Sequence, residues 1–100
     1  MVEQINSKDF KEKISKGKVL VDMYADWCGP CRMLGPIIES IAESNTIYKF
    51  YKLNVDDNED IAMEYGVMSI PTLLLFEDGK LVDTLVGLRS KDELENILSK

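Results

Sequence analysis

The segment Lys18-Val19-Leu20-Val21-Asp22-Met23-Tyr24-Ala25 constrains this chain most, a nearly unbroken apolar run that ends three residues before Cys28-Gly29-Pro30-Cys31. Hydrophobic side chains at both odd and even positions, several of them β-branched, read as a strand buried on both faces, as in parallel sheets covered by helices. Gly29 and Pro30 break the strand and suit the first turn of a helix, where proline's missing N–H would have no partner in any case. Cys28 is therefore expected at a helix N-terminus.

The unpaired N–H groups and the dipole at that end favour negative charge, so Cys28 should form a thiolate more readily than a free thiol. Cys31, one turn further in, is placed to attack a mixed disulfide made by Cys28, releasing a reduced substrate and leaving Cys28–Cys31 bridged. Closing so short a loop adds only about 2 kcal/mol to stability, which suits repeated opening better than stapling. A structural zinc site needs four ligands, commonly cysteine and histidine. These are the only two cysteines and there is no histidine, so no metal is expected. A secreted disulfide scaffold is disfavoured by the lack of a charged-then-apolar leader and of further cysteines.

The rest of the chain supplies a frame for this pair. Val2 to Ile5 is a short first strand, and Ser7 is an expected N-cap for a helix that turns Phe10 and Ile14 inward and ends at Lys16-Gly17-Lys18. From about Pro30 to Ser44, Leu34, Ile37, Ile38, Ile41 and Ala42 form one apolar stripe, with Pro36 expected to kink the helix. Ile47 to Val55 reads as a strand of imperfect alternation, with Ile47, Phe50 and Leu53 among its apolar positions. Asp56, Asp57, Glu59 and Asp60 then open a short helix whose dipole they complement, an acidic cluster read as a solvated helix end. Thr72–Phe76 and Leu81–Val86 flank Glu77-Asp78-Gly79-Lys80, a hairpin signal. Ser90 and Glu93 make a capping box, and Leu94, Ile97 and Leu98 face inward. The order is β-α-β-α-β-α-β-β-α, an α/β fold with a central mixed β-sheet flanked by helices on both faces.

The 100 residues, 45% of them hydrophobic, suffice for one domain spanning 1–100 with a single core. Net charge is −6, with twelve basic against eighteen acidic residues, which disfavours nucleic acid. No apolar stretch reaches the roughly 18 residues of a membrane span, and no lipidation signal is present. A reducing cytoplasm is the expected location, since cysteine pairs there tend to be catalytic.

Trp27-Cys28-Gly29-Pro30-Cys31 resembles the active-site string of the thioredoxin family, and the resemblance runs along essentially the whole chain. Val21-Asp22, Lys52-Leu53-Asn54-Val55-Asp56, Tyr65-Gly66-Val67, Ile70-Pro71-Thr72 and Val86-Gly87 match at the expected spacing. The resemblance implies the thioredoxin fold and a set of supporting roles. Asp22, a carboxylate inside a buried strand and so expected to have a raised pKa, resembles the family's aspartate that takes the proton from the second cysteine, here Cys31. Lys52 resembles the lysine that moderates that aspartate's charge. Pro71 is expected to follow a cis peptide and, with Ile70, to contact an extended substrate by strand addition. Trp27 would form one wall of a shallow apolar patch with Ile70, Pro71 and Gly87, where Gly87 permits close backbone approach. Gly29 and Pro30 lie in the same contact region, and Met33 is a weaker candidate for its rim. The chain departs from the commonest pattern at Tyr24, Asp26 and Ser69. Asp26 adds an acid two residues before the nucleophile, which would raise the Cys28 pKa a little.

The leading functional expectation is a general protein-disulfide reductase in which Cys28 attacks, Cys31 resolves and Asp22 moves the proton. It would need no bound cofactor, act as a monomer on disulfide-containing client proteins, and be returned to the dithiol by a thioredoxin reductase. An oxidase or isomerase is the alternative within the same class, disfavoured because oxidising relatives tend to carry histidine between the cysteines. A non-catalytic binding subunit that uses the apolar patch to hold a partner is the alternative from another class.

Overall fold

In the computed structural model, which describes residues 1–100, the chain runs β1 (Glu3–Gln4), α1 (Phe10–Ile14), β2 (Lys18–Tyr24), α2 (Gly29–Ser44) and β3 (Tyr48–Asn54). A 3-10 turn (Val55–Asp57), α3 (Glu59–Glu64), β4 (Thr72–Glu77), β5 (Lys80–Val86) and α4 (Lys91–Leu98) complete it. One sheet collects all five strands in the order β1-β3-β2-β4-β5. The β1–β3 and β3–β2 pairs are parallel, and β2–β4 and β4–β5 are antiparallel. The apolar run of β2 is thus the central strand, which explains why it has no solvent-facing side.

Alternation along the strands splits the core into two halves. Leu20, Phe50, Leu73, Leu75 and Leu85 pack against Leu34, Ile38 and Ile41 of α2 and Leu94 and Leu98 of α4. Val19, Val21, Met23, Leu53, Leu74 and Phe76 pack on the opposite side against Phe10 and Ile14 of α1 and Ile61 of α3. Each face thus receives two helices, and neither set of strand residues could be exposed without losing a full layer of burial, about 25 cal/mol per Å². Asp22 falls on the face of Leu20, the side covered by α2, because side chains two apart share a face.

Asp78 and Gly79 link β4 and β5 with φ values of 50° and 86°, the double positive φ that fits a two-residue hairpin loop to the twist of its strands. The register slips between Leu75 and Phe76, so that Leu75 faces Asp83 and Phe76 faces Leu81. Ser90 caps α4 by accepting from the Glu93 N–H at 3.1 Å. The Glu93 carboxylate pairs with Arg89 instead of closing the box.

Two local expectations are corrected. Ile47 is 67% exposed and precedes β3, because the Asn45 side chain accepts from the N–H groups of Ile47 and Tyr48 and forms a turn there. Ser7 does not cap α1: its hydroxyl donates to Asn58 and Asp60, and the cap position is Asp9, without a side-chain cap bond. Asn6 instead organises the turn by accepting from the N–H groups of Lys8 and Asp9. The long helix α2 continues through Pro36 as one element.

Candidate active site

Cys28 occupies the N-cap of α2, with extended backbone at φ −87° and ψ 113°, and Pro30 lies in the first turn. The Cys31 N–H points at Cys28 Sγ from 3.2 Å, so one of the free donors of the helix end is aimed at that sulfur and favours negative charge on it. Cys28 and Cys31 are bridged, with their Cα atoms 5.2 Å apart. Exposure does not separate the two sulfurs, since the residues are 4% and 5% exposed. Their neighbours do.

Cys31 borders a cleft of about 210 Å³ shared with Asp22, Tyr24, Asp26, Arg32 and Lys52. Asp22 is buried, and its Oδ1 has no hydrogen-bond partner in the chain. Burial pushes its carboxyl from 3.8 up to about 7, and the charge of Lys52 restrains the rise. Lys52 is brought there by the parallel register that sets it opposite Asp22. The structure thus brings Asp22, Lys52 and Cys31 to one cleft, with no direct ion pair between the lysine and the carboxyl. At the rim, Arg32 donates to the carbonyl of Asp26 at 2.9 Å and the Tyr24 hydroxyl accepts from Gln4 at 2.7 Å. Burial raises the Tyr24 pKa, with Asp26 and Asp22 adding to the effect.

Cys28 faces a different surface. Its Sγ lies 3.9 Å from the carbonyl oxygen of Ile70, and the Ile70–Pro71 peptide is cis. The Gly87 N–H donates to the Pro71 carbonyl at 2.8 Å, which fastens the loop after β5 to the segment beside the disulfide. Trp27 is 68% exposed, and it lines a groove of about 340 Å³ together with Ile70, Val55, Val67, Met63 and Met68. Gly29 and Pro30 stand at the head of α2 next to the sulfur, while Met33, 63% exposed, borders neither cavity.

Reading the sequence missed several members of this site. The Trp27 indole N–H donates to Asp56 Oδ2 at 2.8 Å, so one residue of the acidic cluster expected only to face solvent orients the tryptophan. Asn54 is buried: its side chain accepts from the Asp56 N–H and reaches Asp26, tying the end of β3 to the loop before Cys28. Asn54 and Asp56 adjoin Lys52 in the matching string, which was the available signal. No group of three histidine, cysteine or acidic side chains is placed to hold a metal ion. No helix is long and apolar enough to cross a membrane.

Comparison with known proteins agrees with this geometry. The thioredoxin family model matches residues 1–100. A thioredoxin from Listeria monocytogenes is 45% identical over 101 residues, covering 100% of this chain and 98% of the relative. One from Chlamydia pneumoniae is 48% identical over 100 residues, with the same coverage of 100% and 98%. Among solved structures, a mutant thioredoxin from Halobacterium salinarum superposes with a TM-score of 0.89 at 39% identity, covering 97% of this chain and 87% of that one.

Proposed function

Because this chain belongs to the thioredoxin family, and with its Cys28–Cys31 pair is a thiol–disulfide oxidoreductase, we propose that it works as a general protein-disulfide reductase. The observation that carries the reading is the unequal setting of the two sulfurs. Cys28 caps a helix and lies against the carbonyl of Ile70, a residue that lines an open apolar groove, whereas Cys31 shares a cleft with the buried Asp22.

The cycle begins from the dithiol. The Cys28 thiolate attacks one sulfur of a client disulfide, forming the Cys28–client bond and releasing the other client sulfur as a thiolate. Cys31 then loses its proton toward Asp22 and attacks Cys28 Sγ. That step forms the Cys28–Cys31 bond and expels the second client thiolate. Two electrons pass to the client, whose thiolates take up two protons, and the bridged enzyme remains. Lys52 holds the Asp22 carboxyl within reach of neutral pH, so that it can both accept and return a proton. Client backbone is taken up along Ile70 and Pro71 beside Trp27 and Gly87, with Gly29 and Pro30 leaving the approach to Cys28 uncrowded.

Regeneration falls to a separate two-electron reductant, a thioredoxin reductase, which attacks the bridge and restores both thiols. This cycle belongs in a reducing cytoplasm, where a reductase keeps the pair open. Glycine and proline between the cysteines, with no histidine to stabilise the thiolate further, favour reduction over oxidation. Insulin reduction by dithiothreitol, followed by turbidity, tests the proposal. The native chain should accelerate it and the double variant Cys28→Ser, Cys31→Ser should not, and equal acceleration by both would end the reductase reading.

A further inference from the structure

The cleft beside Cys31 is walled on one side by a contact that the pairing of the strands does not require. Gln4, Lys52 and Asp22 lie in one row of the sheet, since Gln4 pairs with Lys52 and Lys52 with Asp22. Tyr24, two residues beyond Asp22 on β2, shares the face of that row. β1 and β2 are not neighbours, because β3 runs between them. The Gln4 side-chain amide nevertheless donates to the Tyr24 hydroxyl at 2.7 Å, so this bond crosses β3. The Tyr24 ring that it holds lines the cleft of about 210 Å³ that also contains Asp22 and Cys31.

The groups facing Asp22 leave this contact a task of its own. Lys52 of β3, Cys31 and Arg32 of α2, Asp26 of the loop before α2 and Tyr24 border the same cleft, while β4 sets the apolar Leu73 beside it. Lys52 makes no ion pair, and Arg32 is engaged by the Asp26 carbonyl. No group of the chain satisfies Asp22 Oδ1. With no direct partner, the carboxyl responds chiefly to the water that the cleft admits, and burial is the largest influence on it. Tyr24 stays neutral meanwhile, since burial and the charges of Asp26, Asp22 and Asp57 raise its pKa from 10.0.

We propose that Tyr24, latched by Gln4 across β3, is a positioning residue for the proton step: it walls the cleft against bulk water and thereby sets how readily Asp22 takes and returns the Cys31 proton. This deepens the reductase reading above and rests on it. Releasing the latch lets the ring swing out and water reach the carboxylate, which makes Asp22 a stronger acid and a weaker base.

Titration of the Asp22 carboxyl by carbon NMR in the bridged protein tests it, with a native midpoint expected near 7. Tyr24→Ala should lower that midpoint by about one pH unit. Tyr24→Phe and Gln4→Leu should each lower it by less, and the double variant no further than the larger single change, because both remove one bond. The inflection in the stopped-flow resolution rate should move down in step. A midpoint unmoved in Tyr24→Ala overturns the wall, even where denaturant unfolding finds that variant less stable. An upward movement overturns it too, because the latch would then serve to hold the Lys52 charge near Asp22. Additive shifts of the two single changes overturn the latch. The titration needs no client, so the two readings fail separately. Insulin reduction with unmoved midpoints removes the wall alone, whereas shifted midpoints in a chain that reduces no insulin remove the reductase reading and its proton step.

Discussion

On one side of the disulfide lies a trough of methionines, tryptophan and isoleucine, and on the other a smaller cleft bordered by charged residues and by a buried carboxylate. The two cysteines are a single helical turn apart and equally buried, yet only Cys31 lines the cleft, while Cys28 lies against Ile70 at the edge of the trough. In the proposed cycle the client uses the trough and the proton uses the cleft. Chemical asymmetry between two identical side chains thus arises from what the sheet and α2 bring beside each sulfur.

The strongest way to break that comparison is to exchange the roles. Cys31→Ser should accumulate mixed disulfides on Cys28 when incubated with oxidised client proteins, resolved on non-reducing gels. Cys28→Ser should trap little, since its remaining thiol borders the cleft. Equal trapping by the two variants would mean that the two environments do not set the order of attack.

Asp22→Asn tests the cleft alone. In the unfolded chain this carboxyl ionises near 3.8 and in the folded chain near 7, so between those values only the native state binds the proton. Native stability should therefore fall as pH rises from about 4 to about 7 and flatten above it. The full difference is on the order of 4 kcal/mol, from 1.36 kcal/mol for each pH unit. The amide of the variant cannot ionise, so denaturant unfolding at pH 8 should find it more stable than the native chain and free of this slope. Stopped-flow rates should show slower resolution of the mixed disulfide, with the inflection near 7 removed and the first attack largely retained at neutral pH. An unchanged resolution profile would leave Asp22 a structural residue.

The parts of this asymmetry that could be read from sequence were those written in local pattern. Asp22 stood out because a carboxylate interrupted a run apolar on both faces, and burial on the central strand gave it the expected setting. The N-cap position of Cys28 followed from Gly29-Pro30, and the hairpin from Asp78-Gly79. Ile47 misled because hydrophobicity alone does not register the competing turn made by Asn45. The trough was half expected: resemblance put Trp27 and Ile70 in one apolar patch, but Pro71 and Gly87 do not line it, and Asp56, Met63 and Met68 join only because the loop before α2 packs beside α3, a distance no periodicity spans. Resemblance supplied Lys52 and Pro71, whose spacing from Asp22 and Cys28 has no local logic.

A smaller effect sharpens the electrostatics of the cleft. Lys52 opposes the rise that burial imposes on Asp22, so Lys52→Met should move the inflection in the resolution rate upward, by up to about one pH unit. The direction matters more than the size. A downward movement, or none in the presence of an intact Asp22, would show that the lysine charge does not reach the carboxyl.

The smallest expected change lies at Gly87, which is tied to the Ile70–Pro71 segment. Its φ of 95° is costly for a residue with a side chain, yet a Cβ there would meet no atom within 4 Å. Gly87→Ala should thus lose stability through backbone strain alone, about 1 kcal/mol, or a decrease of roughly 4–8 °C in Tm for a domain of this size. Relief of that strain would turn the Gly87 N–H away from the Pro71 carbonyl, which it now holds at 2.8 Å. The segment Ile70–Pro71, proposed to take up the client, would lose an anchor while the Asp22 cleft kept all of its own. The expected signature is a severalfold rise in KM for insulin with the pH profile of resolution unmoved. A shift in that profile would show that the two sides of the disulfide are mechanically coupled and not independent.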